Sequence, residues 1–307
     1  MANTGLVPLY QQKFSTLLEL KLQQTGSKLR GTVKEQSFTG AKIASPVQQL
    51  GAVNTKAPAG RYAPLEIQVN DYTRRWISPQ DRDLTQMVDT FDELRTDVDV
   101  KGELVAGAAL ACGRDWDDAI VLAATATAQI GADAATLTNE TFDTSAFRIA
   151  DTFKAGAATG LTVAKLIEAK RILRKYHNDF DSDTFTAVIG STQESDLLNQ
   201  VQFVSTEYND RPVLVDGSVK RFLGFNIVVM ERLPIYATNT RGVLVYAKSG
   251  LCLGMWQDAN TAVSQRMDLT GHPWQAYTKH SYGATRLQPG KILQIGCYDT
   301  AGVDITP

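Results

Sequence analysis

The stretch 243–298 decides how the chain is read: VLVYAKSGLCLGMW (Val243–Trp256), AVSQRMDLTGHPWQAYTKHSYGATRL (Ala262–Leu287) and PGKILQIGCY (Pro289–Tyr298). Runs rich in Val, Tyr, Leu and Trp are cut by Gly and Pro, the pattern of short strands separated by turns. His272 and His280 flank Trp274 and Tyr277 upstream of Cys297, the one neighbourhood that offers a nucleophile and a base. On an extended strand two histidines eight residues apart stand far from each other, so the stretch has no catalytic spacing.

Upstream of it, the domain opens with a strong helix. Val163, Leu166, Ile167, Leu173 and Tyr176 make an apolar stripe, with Lys165, Glu168, Arg171, Arg174 and Lys175 on the wet face. His177 and Asn178 end it, His177 as a positive charge at the dipole's negative end and Asn178 as a left-handed cap. Thr184–Ile189 reads as a strand, and Ser191 with Glu194 has capping-box spacing for the next helix. Pro212–Val215 and Val219–Glu231 read as strands around a turn at Asp216-Gly217.

The first half is organised differently. Six Lys or Arg between Met1 and Leu50, among them Lys13, Lys21, Arg30 and Lys42, face only Glu19 and Glu35, so the start of the chain is a basic arm. Pro46, Gly51, Pro58, Gly60 and Pro64 punctuate a loop-like tract. Leu65, Ile67 and Val69 then alternate with Glu66, Gln68 and Asn70, a strand with one polar face. A long two-stranded excursion over 37–78 follows, and a lone hairpin needs a cover to be stable in water. Its basic and aromatic residues Arg61, Tyr62, Tyr72, Arg74, Arg75 and Trp76 could stack bases, but suit a protein interface better.

Ser78 as a cap, Pro79 at the first helical position and Asp81 and Asp83 near the positive dipole end predict a helix carrying Leu84, Met87, Val88, Phe91 and Leu94 on its buried face. A second helix is predicted over 98–130, with Ala106, Ala108, Ala109, Ala111, Ala119, Ala123, Ala124 and Ala126 giving it small sides for close packing. Between Asp81 and Asp118 eleven acidic residues outnumber four basic ones, so Asp89, Asp92, Glu93, Asp115, Asp117 and Asp118 form an acidic surface to pair with the basic arm, within the chain or between subunits. Gly131–Gly160 reads as a connector with short strands at Ala135–Leu137 and Phe147–Ala150.

Composition bounds the function. With 307 residues, 43% hydrophobic and 21% charged, the chain is globular and long enough for about two domains. A net charge of −2 excludes bulk attraction to nucleic acid or membrane surfaces. No run reaches the ~20 apolar residues of a membrane span, and the N-terminus lacks the pattern of a secretory signal. Cys112, Cys252 and Cys297 stand far apart and read as buried, reduced thiols. Nucleotide, zinc-protease, hydrolase and EF-hand motifs are absent. Hydroxyls around Val188–Ser195 at a helix start read as its own cap rather than a phosphate site, and Asp115, Asp117 and Asp118 lack the turn-forming Gly of a calcium loop. No cofactor, no metal and no catalytic set is expected.

Ser249-Gly250-Leu251, Trp256, Ser281-Tyr282-Gly283, Ile292–Cys297 and GFNIVVMERLP (Gly224–Pro234) occur in an order that resembles the tailed-bacteriophage major capsid proteins of the Hong Kong 97 fold. The resemblance covers about Ser37 to Tyr298. It implies an α+β fold with an N-terminal arm (1–36), an extended β-hairpin loop (37–78), a peripheral domain with a long spine helix (79–157 and 258–307) and an axial domain (158–257). It implies a coat protein assembling through pentamers and hexamers into an icosahedral shell around double-stranded DNA, located in the virion and built in the host bacterial cytoplasm. Partners implied are further copies of the chain, a portal protein, a cement or decoration protein, and packaged DNA held without sequence readout. Only some 36 residues precede the loop, so the scaffolding protein is expected to be separate. Lys42 and Lys56 lie in the loop where some members form Lys–Asn crosslinks, but nothing locates a partner Asn. The alternatives are an encapsulin-type compartment shell with the same fold, and a soluble α+β enzyme using Cys297 and His280.

Overall fold

The computed structural model describes residues 23–51, 72–89, 100–200 and 220–299, with isolated positions between 53 and 70. In chain order, β1 (Lys34–Ser37), β2 (Ala44–Leu50), β3 (Tyr72–Ile77) and β4 (Gln80–Val88) precede the long helix α1 (Val100–Thr125). Next come β5 (Ala128–Gly131), β6 (Thr138–Glu140), α2 (Thr144–Phe147), β7 (Arg148–Ile149), α3 (Val163–Lys175), β8 (Phe185–Ile189) and α4 (Ser191–Leu198). The chain closes with β9 (Arg221–Phe222), β10 (Phe225–Val229), β11 (Ile235–Ala237), β12 (Thr240–Ala247), β13 (Leu251–Gln265), β14 (Trp274–Arg286) and β15 (Ile292–Tyr298).

These strands form three sheets. The first, in the order β1-β13-β14-β4, carries α1 across one face. The second, β7-β15-β12-β8-β10-β9 with β11 on β12, carries α3 beside β15 and β7. The third, β2-β3-β5-β6, ties the base of the loop to the strands that follow α1. β8 and β12 are buried along their whole length, which is why they read as continuous apolar runs rather than alternating ones. One contiguous core joins Trp116, Ile120 and Val121 of α1 to Val188, Val245 and Leu293 of the second sheet. A satellite of Ile77, Cys252 and Leu287, backed by Phe38, Val47 and Trp256, packs where the loop leaves the body.

Several local expectations are overturned by tertiary pairing. The segment after Ser78 is strand β4, not a helix: it pairs antiparallel with β14 from Gln80↔Tyr282 to Val88↔Trp274. Leu84, Gln86 and Val88 are half-buried while Asp83, Thr85 and Met87 are exposed, a period of two that the open edge of β14 selects over the cap signals. Phe91 and Leu94 lie outside the described residues, as do most of the strand expected at 65–69, Pro212–Val215 and Asp216-Gly217. The strand expected over 219–231 is instead a hairpin, with Leu223 (φ 52°) and Gly224 (φ 92°) both left-handed between β9 and β10. The strand expected at Ala135–Leu137 forms three residues later, as β6, and only Arg148–Ile149 of the one expected at Phe147–Ala150 is extended.

The helix α3 appears as expected, with two corrections. His177 (φ 59°), not Asn178, takes the left-handed position; the His177 and Asn178 amides donate to Arg174 O and Leu173 O, and the Asn178 side chain donates to Leu173 O and Gly290 O. Ile167 and Tyr176 are exposed, whereas Lys165 is fully buried. Its ammonium donates to Thr159 O (2.8 Å), Gly160 O (2.8 Å) and Gly296 O (2.9 Å), a cage that joins α3 to β15. Burial lowers its pKa against the pull of Cys297, Asp151 and Asp196. At α4 the cap is Gly190, whose amide donates to the Gln193 side chain, while Ser191 N donates to Glu231. Lys165→Met keeps the apolar stem but strips three buried carbonyls of their donor. We expect a loss of about 3 kcal/mol in denaturant unfolding, with Lys175→Met on the exposed face as a silent control.

Candidate functional site

The middle of α1 is where separate parts of the chain meet. Ala108, Cys112, Trp116, Ile120 and Ala124 repeat every fourth residue and form its buried stripe. The turn 112–118 does more than pack. At Gly113 an added Cβ would lie 2.6 Å from Gly26 C and Ser27 N, so only glycine admits the incoming N-terminal segment at this depth. Gly26 itself is left-handed (φ 71°), turning that segment across the helix. Asp117, with no exposed surface, accepts from Lys28 N (2.9 Å), Leu29 N (3.0 Å), Ser27 Oγ and Gln24 Nε2. Arg114 donates to Gln23, and Asp118 receives a bidentate Arg232 from the loop between β10 and β11. Arg30 lies over the Trp116 ring at 4.7 Å and pairs with Glu35 (3.3 Å) and Asp258 (3.2 Å).

His280 reaches the same turn from β14. It is 5% exposed, stacked on Tyr282 and edge-on to Trp116. Nδ1 lies 3.3 Å from Cys112 Sγ and Nε2 3.5 Å from Asp115 Oδ2, an ion-pair contact rather than a hydrogen bond. Burial lowers its pKa, but interaction with Asp115 and Cys112 outweighs this and raises it to about 9.

The far end of α1 is held by a buried arginine. Arg286 of β14, with no exposed surface, donates to Ala124 O (3.2 Å), Ala126 O (2.8 Å) and Glu140 O (3.0 Å). A cation there satisfies the open carbonyls and the negative end of the helix dipole; burial lowers its pKa. Glu140 also pairs with Arg75, which is 6% exposed, so the base of the loop is tied to the end of α1. Trp76 Nε1 donates to Gly131 O (3.1 Å) and Arg74 to Ala132 O (3.3 Å). Gly283 makes room for this corner, since a Cβ there would meet Ser78 O at 2.5 Å.

The residues expected at an interface therefore divide. Arg30, Arg75, Trp76, Asp115, Asp117 and Asp118 have partners inside the chain, and Asp117 has no surface left to offer. Tyr72 (68% exposed), Lys42 and Asp89 face outward, with Arg74 half-buried beside them. Lys13, Lys21, Arg61, Asp92 and Glu93 lie outside the described residues. Cys297 and His280 stand in different sheets. Cys297 neighbours Lys165, Asp151, Asp196 and Asp299, and burial pushes its thiol up to about 12. His280 faces Cys112 instead, 168 positions away, a pairing that no spacing signals. Among the described residues no three His, Cys, Asp or Glu side chains gather as a metal site, and no helix is long and apolar enough to cross a membrane. Asp117→Ala takes the shared acceptor from four donors and leaves the buried Leu29 amide without one; we expect a cost of about 2–3 kcal/mol in denaturant unfolding and faster proteolysis around 23–29.

The chain is similar in fold to several solved capsids. It shares 16% identity with the capsid of the cyanophage P-SCSP1u, at a TM-score of 0.73 over 97% of this chain and 95% of that one. With the cyanophage Pam1 capsid the identity is 11% and the TM-score 0.73, over 98% and 100%. With the capsid of Ralstonia phage GP4 the values are 10% and 0.66, over 98% and 97%. No curated protein matches the sequence. Residues 6–299 match the family described as phage capsid protein, which favours a shell of a virion over a cargo compartment. Its mixed sheets, the long helix held at its middle and its C-terminal end and the near-complete family match lead to one conclusion: the chain belongs to the phage capsid protein family, as a major capsid protein.

Proposed function

We propose that this capsid protein assembles through pentamers and hexamers into an icosahedral shell that encloses a tailed phage's double-stranded DNA. The observation that carries the reading is the family match over residues 6–299 joined to a fold whose loop base is braced but whose outward face is bare. Arg75, Trp76 and Glu140 anchor that base, while Leu50 and Tyr72, cross-strand partners on β2 and β3, are 52% and 68% exposed. Apolar and aromatic side chains left open on a braced hairpin suit burial against another copy.

The arm (1–36), loop (37–78), peripheral domain (79–157 and 258–307) and axial domain (158–257) divide the chain's work in this reading. The sheets support this in part: β4, α1 and the outer part of β13 with β14 form one group and α3 with β8, β10 and β12 the other, while β7 and β15, numbered with the peripheral domain, pair into the second sheet. Two divisions fall inside β1 and β13, so the units share strands, and β13 loses its burial after Met255, where its register against β14 also shifts. Contacts of this head-to-tail kind close into rings, and stability is then shared between copies and depends on concentration. A scaffolding protein, a portal, a cement or decoration protein and DNA held without sequence readout complete the set of partners. Assembly takes place in the host bacterial cytoplasm.

Sedimentation and negative-stain imaging of the purified chain, alone and with the proteins encoded beside it, test this. Uniform shells or rings of five and six are expected; a monomer at high concentration under every condition overturns it. Tyr72→Ala combined with Leu50→Ala, both exposed, should leave the subunit's melting temperature within ~2 °C of wild type, yet cut the yield of shells severely.

A further inference from the structure

We propose that Cys112, His280 and Asp115 form a proton-dependent latch that fastens α1 to β14, and that the latch weakens as the imidazolium loses its proton. The geometry carries this. Both ring nitrogens of His280 face the same helical turn, Nδ1 toward the Cys112 sulfur at 3.3 Å and Nε2 toward the Asp115 carboxylate at 3.5 Å. The doubly protonated ring donates to the Cys112 sulfur through Nδ1 and sets its positive charge against the Asp115 carboxylate. A neutral ring can donate to only one, and Asp115 then loses its countercharge. Tyr282 and Trp116 enclose the ring, so water cannot reach the imidazole nitrogens, although the Asp115 carboxylate is itself partly exposed.

Other charges around the ring come from three further elements. Arg82 of β4 is its register partner and touches the Tyr282 hydroxyl, while Asp258 of β13 attracts the imidazolium and is itself held by Arg30. Arg30 already neutralises Asp258 and Arg82 opposes a charge on the ring, so Asp115 is the carboxylate that holds His280 protonated. The consequence reaches beyond the pair, because the same turn of α1 holds the N-terminal segment through Asp117 and the β10–β11 loop through Asp118. Loosening the turn loosens all three.

The direction with pH follows from the raised pKa. The ring is held protonated to about 9, above its ordinary 6.5. Its stabilisation is therefore complete below about pH 6.5, declines as pH rises from there, and is gone above about 9. Melting of the full-length chain at pH 6.0, 7.5 and 9.5 tests it against His280→Gln and Asp115→Asn. Wild type should lose about 5 °C more across that range than either variant; equal slopes in all three overturn the latch. Asp115 is partly exposed, so Asp115→Asn stands alone if His280→Gln does not fold. Alkylation by iodoacetamide, read by peptide mass, locates the opening. In His280→Gln (or in Asp115→Asn, if that must stand alone), Cys112 should react ~10-fold faster than in wild type at pH 7, while the buried Cys252 and Cys297 stay unchanged. An unchanged Cys112 rate overturns the proposal.

Discussion

A single buried carboxylate sets the plan of this subunit. Asp117 sits on the inner face of α1 with no exposed surface, and a carboxylate there is tolerable only if its lone pairs are filled. Two backbone amides and two side chains of residues 24–29 fill them. The N-terminal segment is thus not laid on a finished body; it completes a site that would otherwise carry an uncompensated buried charge. Gly113 enforces the same contact sterically, one turn earlier on the helix.

The alanine-rich helix that bears this turn is held by polar groups from its middle to its C-terminal end. Alanine gives helix propensity and close approach but little apolar area. His280 near the middle and Arg286 at the end, both from β14, supply the missing grip, as does Arg232 from the second sheet's loop. Through Glu140 and Arg75 the end of the helix is joined to the loop base. A displacement of the loop, of the arm or of the second sheet is therefore felt at one helix, the coupling that a shell needs when every subunit is gripped by its neighbours. The second sheet, by contrast, is close-packed and mostly apolar around β8, β12 and β15.

Much of this was legible. β8, β12 and β15 announce themselves as short β-branched runs bounded by Gly and Pro, and α3 by its periodicity. The small residues of α1 predicted close backbone approach, and Gly113 is where it occurs. The acidic and basic blocks stand in the composition, but Asp117, Asp118 and Arg30 do not pair block to block: Asp117 takes backbone amides, Asp118 takes Arg232, 114 positions away, and Arg30 pairs with Glu35 and Asp258. Nor could composition distinguish Cys112 from Cys297 as the thiol beside His280.

The sequence by itself determined the strands and helices whose side chains satisfy a local period, together with the absence of any catalytic or metal spacing. That is so because burial of a face is written into every second or every third-to-fourth residue. Tertiary structure decided the rest. Ser78-Pro79 carries the signals of a helix start, yet the nine residues of β4 complete the edge of β14, since an unpaired strand edge costs more than a lost cap. Lys165 stands on what the pattern marks as a wet face, yet two carbonyls of the turn before its helix and one from distant β15 converge on its ammonium. Such choices depend on which groups the fold leaves without partners, and that is known only once the whole chain is in place.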